Sequence, residues 1–288
     1  MGNMGFAQSD LAAECGVCEG DGVRVQRVQA GGYEVLRVRI ETEGAAARIG
    51  KPKGRYVTLD CGAVCDLDER EEERVCRAVA VEIREMAQRM CQKQIGSEFC
   101  VLAVGLGNAE MTADALGPQA VRALTVTRHL PREMRTFLGG EGACDIAAVL
   151  PGVSGQTGVE TAELIRGAVL EIRPDLVIAV DALAARAPER LAATVQLCDA
   201  GIRPGSGVGQ KRRALTQETL GVPVMALGMP TVIRCDTLIA DVIGAQGEVR
   251  WAGFDAVRDL CVCPKEIDLI VVRAGRLLAK AMEKAFRL

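Results

Sequence analysis

Residues 99–118 read FCVLAVGLGNAEMTADALGP, and residues 173–190 read RPDLVIAVDALAARAPER. In each, a short apolar run ends abruptly. Phe99–Val104 stops at Gly105-Leu106-Gly107-Asn108, and Leu176–Val180 stops at Asp181. Continuous apolar runs of this length are the pattern of strands buried on both faces. Ile146–Leu150, which ends at Pro151-Gly152, and Val222–Leu227 repeat it, and Ala193–Leu197 reads as a further strand. Helical patterns over 113–126, Thr157–Ile172 and 264–286 lie between and beyond these runs. Alternating runs and helices predict an α/β protein, a three-layer α/β/α arrangement around a mostly parallel sheet.

Moving toward the N-terminus, Val23–Val28 and Tyr33–Ile40 flank Gly31-Gly32 and alternate apolar with polar residues. That predicts a β-hairpin. Tyr56–Leu59 adds a strand, and Val75, Val79, Ile83, Met86 and Met90 mark one face of a long helix over 69–93. The β-rich part, residues 23–60, is expected to pack on the α/β core within one domain. Residues 1–22 are Gly-rich without periodicity and read as a mobile tail.

Composition excludes several classes. The 288 residues are 49% apolar and 25% charged, as in an ordinary globular protein of one or two domains. Aromatics are 3%, too few for a module that stacks bases. Thirty-five basic residues against 38 acidic ones leave a net charge of −3. No basic field is present to hold nucleic acid or an anionic membrane, and neither is expected as a partner. The N-terminus lacks a basic segment followed by an apolar one, and Phe6 sits where a myristoylation signal wants Ser or Thr. A cytoplasmic protein with reduced thiols is expected.

His129 is the single histidine, so zinc sites with two or three histidines are excluded. Any Ser-His or Cys-His pair would need His129, which reads as a dipole contact at a helix C-terminus. The twelve cysteines include the close pairs Cys15/Cys18, Cys61/Cys65 and Cys261/Cys263, but only one CxxC. They read as structural, with a metal site or redox sensing as the alternatives, and no metal or cofactor is expected.

Ligands of open α/β sheets bind beyond the carboxyl ends of strands. Three loops qualify: Gly105–Pro118, Pro151–Gly158 and Val180–Leu183. Asp181 reads equally as a structural hydrogen-bonding residue or as a catalytic one, because a carboxylate directly after the apolar run Leu176–Val180 needs a reason. Asp114 fits the first turn of a helix, where the dipole favours an acid. Gly105 and Gly107 lack the third glycine of a dinucleotide loop, since Glu110 stands there. Gly205–Arg213 lacks the Gly-Lys-Ser/Thr ending of a phosphate loop and suits a flexible basic loop that contacts an acidic peptide or a neighbouring subunit. Ser154 and Ser206 show no nucleophile elbow.

Longer strings add a resemblance. Ser9–Glu14, Val104–Leu130, Pro151–Thr161, Arg173–Arg190, Asp199–Val224 and Cys263–Asp268 resemble, in order, the germination protease family of spore-forming bacteria. The resemblance implies a fold like that of hydrogenase-maturation proteases, a homotetramer, and an endopeptidase that degrades small acid-soluble spore proteins in the spore core. It implies Asp114 and Asp181 as the catalytic pair, through DALGP and DALAxR. It also implies a zymogen that cuts itself. Asp10-Leu11-Ala12-Ala13-Glu14 matches the cleavage motif, so residues 1–10 form the propeptide, residues 11–288 the protease domain, and the cut falls between Asp10 and Leu11.

On that basis one aspartate, expected to be Asp181, keeps a proton while the other activates water. Backbone N–H groups of Gly105–Asn108 or Gly152–Gly158 are expected to face the oxyanion, which brings Gly107 and Asn108 to the substrate. Arg186, with Lys211 and Arg212, is expected to select the acidic substrate residue. Two alternatives stay open: a maturation-type or metal-dependent relative, and a non-catalytic peptide-binding module of the same fold.

Overall fold

A computed structural model describes residues 9–16, 18–205, 213–242, 257 and 260–287. Its strands are β1 (Val23–Ala30), β2 (Tyr33–Ile40), β3 (Gly54–Asp60), β4 (Cys100–Gly105), β5 (Asp145–Val149), β6 (Leu176–Ala185), β7 (Thr194–Cys198), β8 (Val224–Arg234) and β9 (Cys261–Val262). The helices are α1 (Glu43–Ile49), α2 (Glu69–Cys91), α3 (Leu116–Ala123), α4 (Arg132–Gly139), α5 (Ser154–Thr157), α6 (Thr161–Ile172), α7 (Gln217–Leu220), α8 (Cys235–Val242) and α9 (Ile267–Ala285). No helix among the described residues is long and apolar enough to cross a membrane.

All strands join one sheet in the order β1-β2-β3-β7-β8-β6-β4-β5, with β9 on the far end of β8. The apolar runs form its parallel part: β5, β4, β6 and β8 run together. The N-terminal hairpin, β3 and β7 extend it as an antiparallel half. The α/β reading stands, with a mixed sheet. Gly31 and Gly32 make the hairpin turn at φ 61° and 89°. Two consecutive positive φ values are what a two-residue hairpin loop with the right twist demands.

Helices cover both faces. One face carries α2, α3 and α9, whose Val79, Ile83, Leu116, Leu277 and Leu278 bury Val57, Ile178, Val195 and Leu227 of the sheet. On the other, α6 and α7 bury Val104, Val177 and Ala179 through Ile165, Val169 and Leu220. Asp68 starts α2 with a reciprocal capping box to Glu71, satisfying two otherwise orphaned backbone donors.

Three expectations are revised. Residues 9–15 are not a mobile tail: Leu11 and Ala12 are wholly buried. The two central strands outrun their apolar stretches, because β6 continues past Asp181 to Ala185 and β8 past Gly228 to Arg234. Pro230 is tolerated inside β8 because the β6–β8 register slips between Leu183 and Ala184, so the missing N–H falls at an irregularity. The helix predicted over 113–126 is a short 3-10 turn, Thr112–Asp114, followed by α3, which ends at Ala123. His129 is therefore an exposed turn residue, well past the helix end and its dipole.

All twelve cysteines are free thiols. Burial pushes the Cys61, Cys76, Cys144 and Cys198 thiols up to about 12, so little thiolate forms near neutrality. Iodoacetamide at pH 8 should label exposed Cys18 and Cys263 well before these four, as read by peptide mass spectrometry. Equal labelling in the native state would contradict the packing.

Candidate functional site

The site lies where β4 ends. Its last residue, Gly105, pairs with Val180, while β6 continues. From Asp181 onward β6 keeps β8 on one side and loses β4 on the other. Leu106 N–H still donates to Val180 O at 2.8 Å, which turns the Gly105–Asn108 loop over the strand. Asp181 is 5% exposed and accepts from Ala182 N–H at 3.0 Å.

Asp114 reaches the same loop. Its Oδ2 accepts from Asn108 N–H at 2.7 Å, and Thr231 Oγ of β8 donates to the neighbouring Ala113 O at 2.7 Å. The 3-10 turn carrying Asp114 packs on β6 and β8. Gly107 makes this approach possible. It has φ +105°, and a Cβ there would sit 2.1 Å from Asp114 O. Gly117 is equally confined, since its Cβ would fall 2.3 Å from Leu106 O and 2.4 Å from Val180 O. Asn108 is held on its outer side, where Oδ1 accepts from Gln156 Nε2 at 3.0 Å. Two carboxylates thus belong to one loop cluster at the carboxyl end of the parallel strands, where open α/β sheets bind ligands.

The N-terminal segment is the second component. Asp10 N–H donates to Ala184 O at 2.8 Å, and Ala184 N–H donates to Asp10 Oδ2 at 2.9 Å. Leu11 is buried among Leu183, Ala185 and Ile233. Ala12 N–H donates to Gln196 Oε1 at 2.7 Å, and Gln196 Nε2 donates to Asp10 O at 2.8 Å. The Glu14 carboxylate accepts from the N–H groups of Arg186 and Ala187 at 2.7 and 2.9 Å, with Arg190 Nε 3.6 Å away. Ser9 Oγ also donates to Glu14. The segment runs parallel to the end of β6, with Asp10 at the Asp181 end.

Of the expected substrate cations, Arg186 uses its guanidinium on Asp241, at 2.7 and 2.6 Å. Its backbone N–H is what meets Glu14. Lys211 and Arg212 lie outside the described residues. Two residues went unpredicted, Gln196 and Arg190. Gln196 is 6% exposed within a wholly buried strand, and an amide between the apolar Val195 and Leu197 is the available signal.

A family model described as "Germination protease" matches residues 6–245. A germination protease of Clostridium acetobutylicum is 37% identical over 318 aligned positions, covering 99% of this chain and 96% of the relative. That of Caldanaerobacter subterraneus subsp. tengcongensis is 36% identical, over 92% of this chain and 88% of its own. The Priestia megaterium protein is 44% identical over 77% of this chain, which corresponds to 59% of the relative. Among solved structures, the [NiFe] hydrogenase maturation protease HycI from Thermococcus kodakarensis aligns with TM-score 0.32 and 15% identity, over 65% of this chain and 94% of HycI. That likeness is too slight to carry the fold, which rests on the strand order.

Gly107→Ala should lower stability by about 1–3 kcal/mol, through a strained φ and collision with Asp114. Urea denaturation followed by circular dichroism checks this, and an unchanged midpoint would contradict the close approach.

Proposed function

The chain belongs to the germination protease family, and on that premise we propose that it is an endopeptidase that begins the degradation of small acid-soluble spore proteins during germination. Asp114 and Asp181 form the catalytic pair. The observation carrying this reading is the position of Asp181. It is a carboxylate 5% exposed within an apolar strand, at the point where the neighbouring strand ends. Burying such a group is costly unless chemistry or a partner requires it. Asp114 meets the same loop through Asn108 N–H.

In the proposed reaction one carboxylate is ionised and takes a proton from water. The other, protonated, polarises the peptide carbonyl and later gives its proton to the leaving amine. Asp181, the more deeply buried, is the partner that keeps the proton, because burial disfavours its charge. Activity then has a bell-shaped pH profile. It falls at low pH as the base becomes protonated, and at high pH as the acid ionises. The two limbs belong to the pair.

The chain acts first on itself, between Asp10 and Leu11, releasing residues 1–10. Docking of Asp10–Glu14 beside β6 supports this reading, since the bond lies along the strand that carries Asp181. The working form is a homotetramer in the spore cytoplasm. The apolar face of α4, where Phe137 is 90% exposed beside Met134 and Leu138, is in keeping with self-association.

Incubating the chain alone, and with a small acid-soluble spore protein, should release residues 1–10 and cut the substrate at its matching motif. Asp114→Asn and Asp181→Asn should each lower both rates at least ~10³-fold while leaving the circular dichroism spectrum unchanged. Near-normal cleavage by either variant, read by mass spectrometry, would sink the pair.

A further inference from the structure

Gln196 grips the backbone on both sides of Leu11. Its Nε2 donates to Asp10 O at 2.8 Å, and its Oε1 accepts from Ala12 N–H at 2.7 Å. Asp10 O is the carbonyl oxygen of the Asp10–Leu11 bond. Gln196 also belongs to the row of Asp181, because both pair with Gly228, one from each side. Residues opposite one another across a sheet project to the same face. Asp181 and Gln196 therefore share a face, with Cα atoms roughly 10 Å apart and no side chain on the residue between them. A Cβ at Gly228 would strike Asp181 O at 2.4 Å and the Leu183 side chain at 2.8 Å.

The groove around this grip reads side chains by position. Leu11 fills a fully apolar pocket made by Leu183, Ala185 and Ile233. Three residues later, the Glu14 carboxylate sits in a receptor made of two backbone N–H groups and Arg190. Two parallel N–H donors and a guanidinium suit a carboxylate and leave a neutral amide poorly matched. The segment is extended as far as Leu11 and then makes a 3-10 turn over Ala12–Glu14, so it is pinned by its backbone at Asp10 and Ala12 and presents one apolar anchor and one charged anchor.

We infer that this groove receives the substrate chain on the carboxyl side of the cut bond, with Gln196 as the catalytic donor that holds the scissile carbonyl oxygen. The inference rests on the peptidase reading above. Water oxygen adds to the carbonyl carbon, and the carbonyl π pair moves onto the oxygen facing Gln196 Nε2. One water proton goes to the ionised carboxylate. Collapse breaks the C–N bond, and the amine leaves with the proton supplied by the acid. The products are a carboxylate and a free amino terminus. The chain's own Asp10–Glu14 is the first occupant, and substrates that carry the same motif take its place.

The test uses the full chain and a synthetic peptide containing Ser-Asp-Leu-Ala-Ala-Glu. Gln196→Met keeps the length and removes the donor. It should lower kcat about 10²-fold, for self-cleavage and peptide cleavage alike, with KM within about twofold. With the wild-type chain, replacing the peptide's final Glu by Gln should raise KM about tenfold. Arg190→Gln should largely remove that preference. These substrate-side measurements stand even if Gln196→Met fails to fold. If Gln196→Met cuts the peptide with wild-type kcat while self-cleavage slows, Gln196 only docks the N-terminus and the inference is overturned. A KM indifferent to the peptide's Glu overturns the groove. If the wild-type chain cuts neither bond, the peptidase reading fails, and the groove is then judged by binding. Millimolar peptide should speed hydrogen exchange at the Ala12 amide by displacing the segment, and no change would overturn the inference as well.

Discussion

The organisation around the site follows from one constraint, the hydrogen-bonding demand of a central strand that outlasts its neighbour. Buried backbone N–H and C=O groups have to be paired. Along Leu176–Val180, β4 and β8 pair β6 on both sides. After Val180, β4 is gone, and the β6 groups on that flank need other partners. The Gly105–Asn108 turn supplies Leu106 N–H to Val180 O. Farther along, Asp10 pairs with both backbone groups of Ala184, and Glu14 takes the N–H groups of Arg186 and Ala187 just beyond the strand's end. Site loop and N-terminal segment are thus two answers to the same deficit. Asp181 stands at its start.

This constraint explains what could be read from the residues alone. β4 and β5 are bounded by glycine, proline or polar residues, so their apolar runs mark them closely. β6 and β8 are not, because Asp181 and Gly228 interrupt the apolar pattern without ending the strand. A carboxylate and a glycine in mid-strand look like boundaries in one dimension. In three, Gly228 is where the backbones crowd and Asp181 is where a neighbour has ended. The 113–126 helix is shortened for a related reason. Gly117 has to lie against Leu106 and Val180, which fixes where α3 begins. Leu124 leaves helical geometry at its other end.

Residues of the site differ in legibility. Asp181 stands out because a carboxylate directly after an apolar run is unusual, whereas Asp114 reads as an ordinary first-turn acid and is singled out only by the resemblance through DALGP. Gln196 does not stand out, since a single neutral amide carries no spacing rule and its partners lie 184 and 186 positions away along the chain. The N-terminal segment reads as a tail because it has neither helical nor strand periodicity. It is ordered by long-range contacts instead: one leucine in a pocket and one glutamate in a receptor. The cysteines invert this. Conspicuous by number, they include four whose thiols burial holds up to about 12, so these serve as small apolar packing residues.

The complete burial of Leu11 has a thermodynamic consequence. While the chain is intact, the Leu11 nitrogen is a neutral amide whose hydrogen is accepted by Ser9 Oγ at 3.0 Å. On the proposed self-cleavage, hydrolysis at that bond would turn it into an ammonium ion inside a space with no solvent access. A buried ion is far more costly than a buried amide. The intact segment is therefore a better occupant than its own product. Scission would work as a ratchet: the charge it creates drives the new terminus toward water, leaving an empty groove and making religation unfavourable.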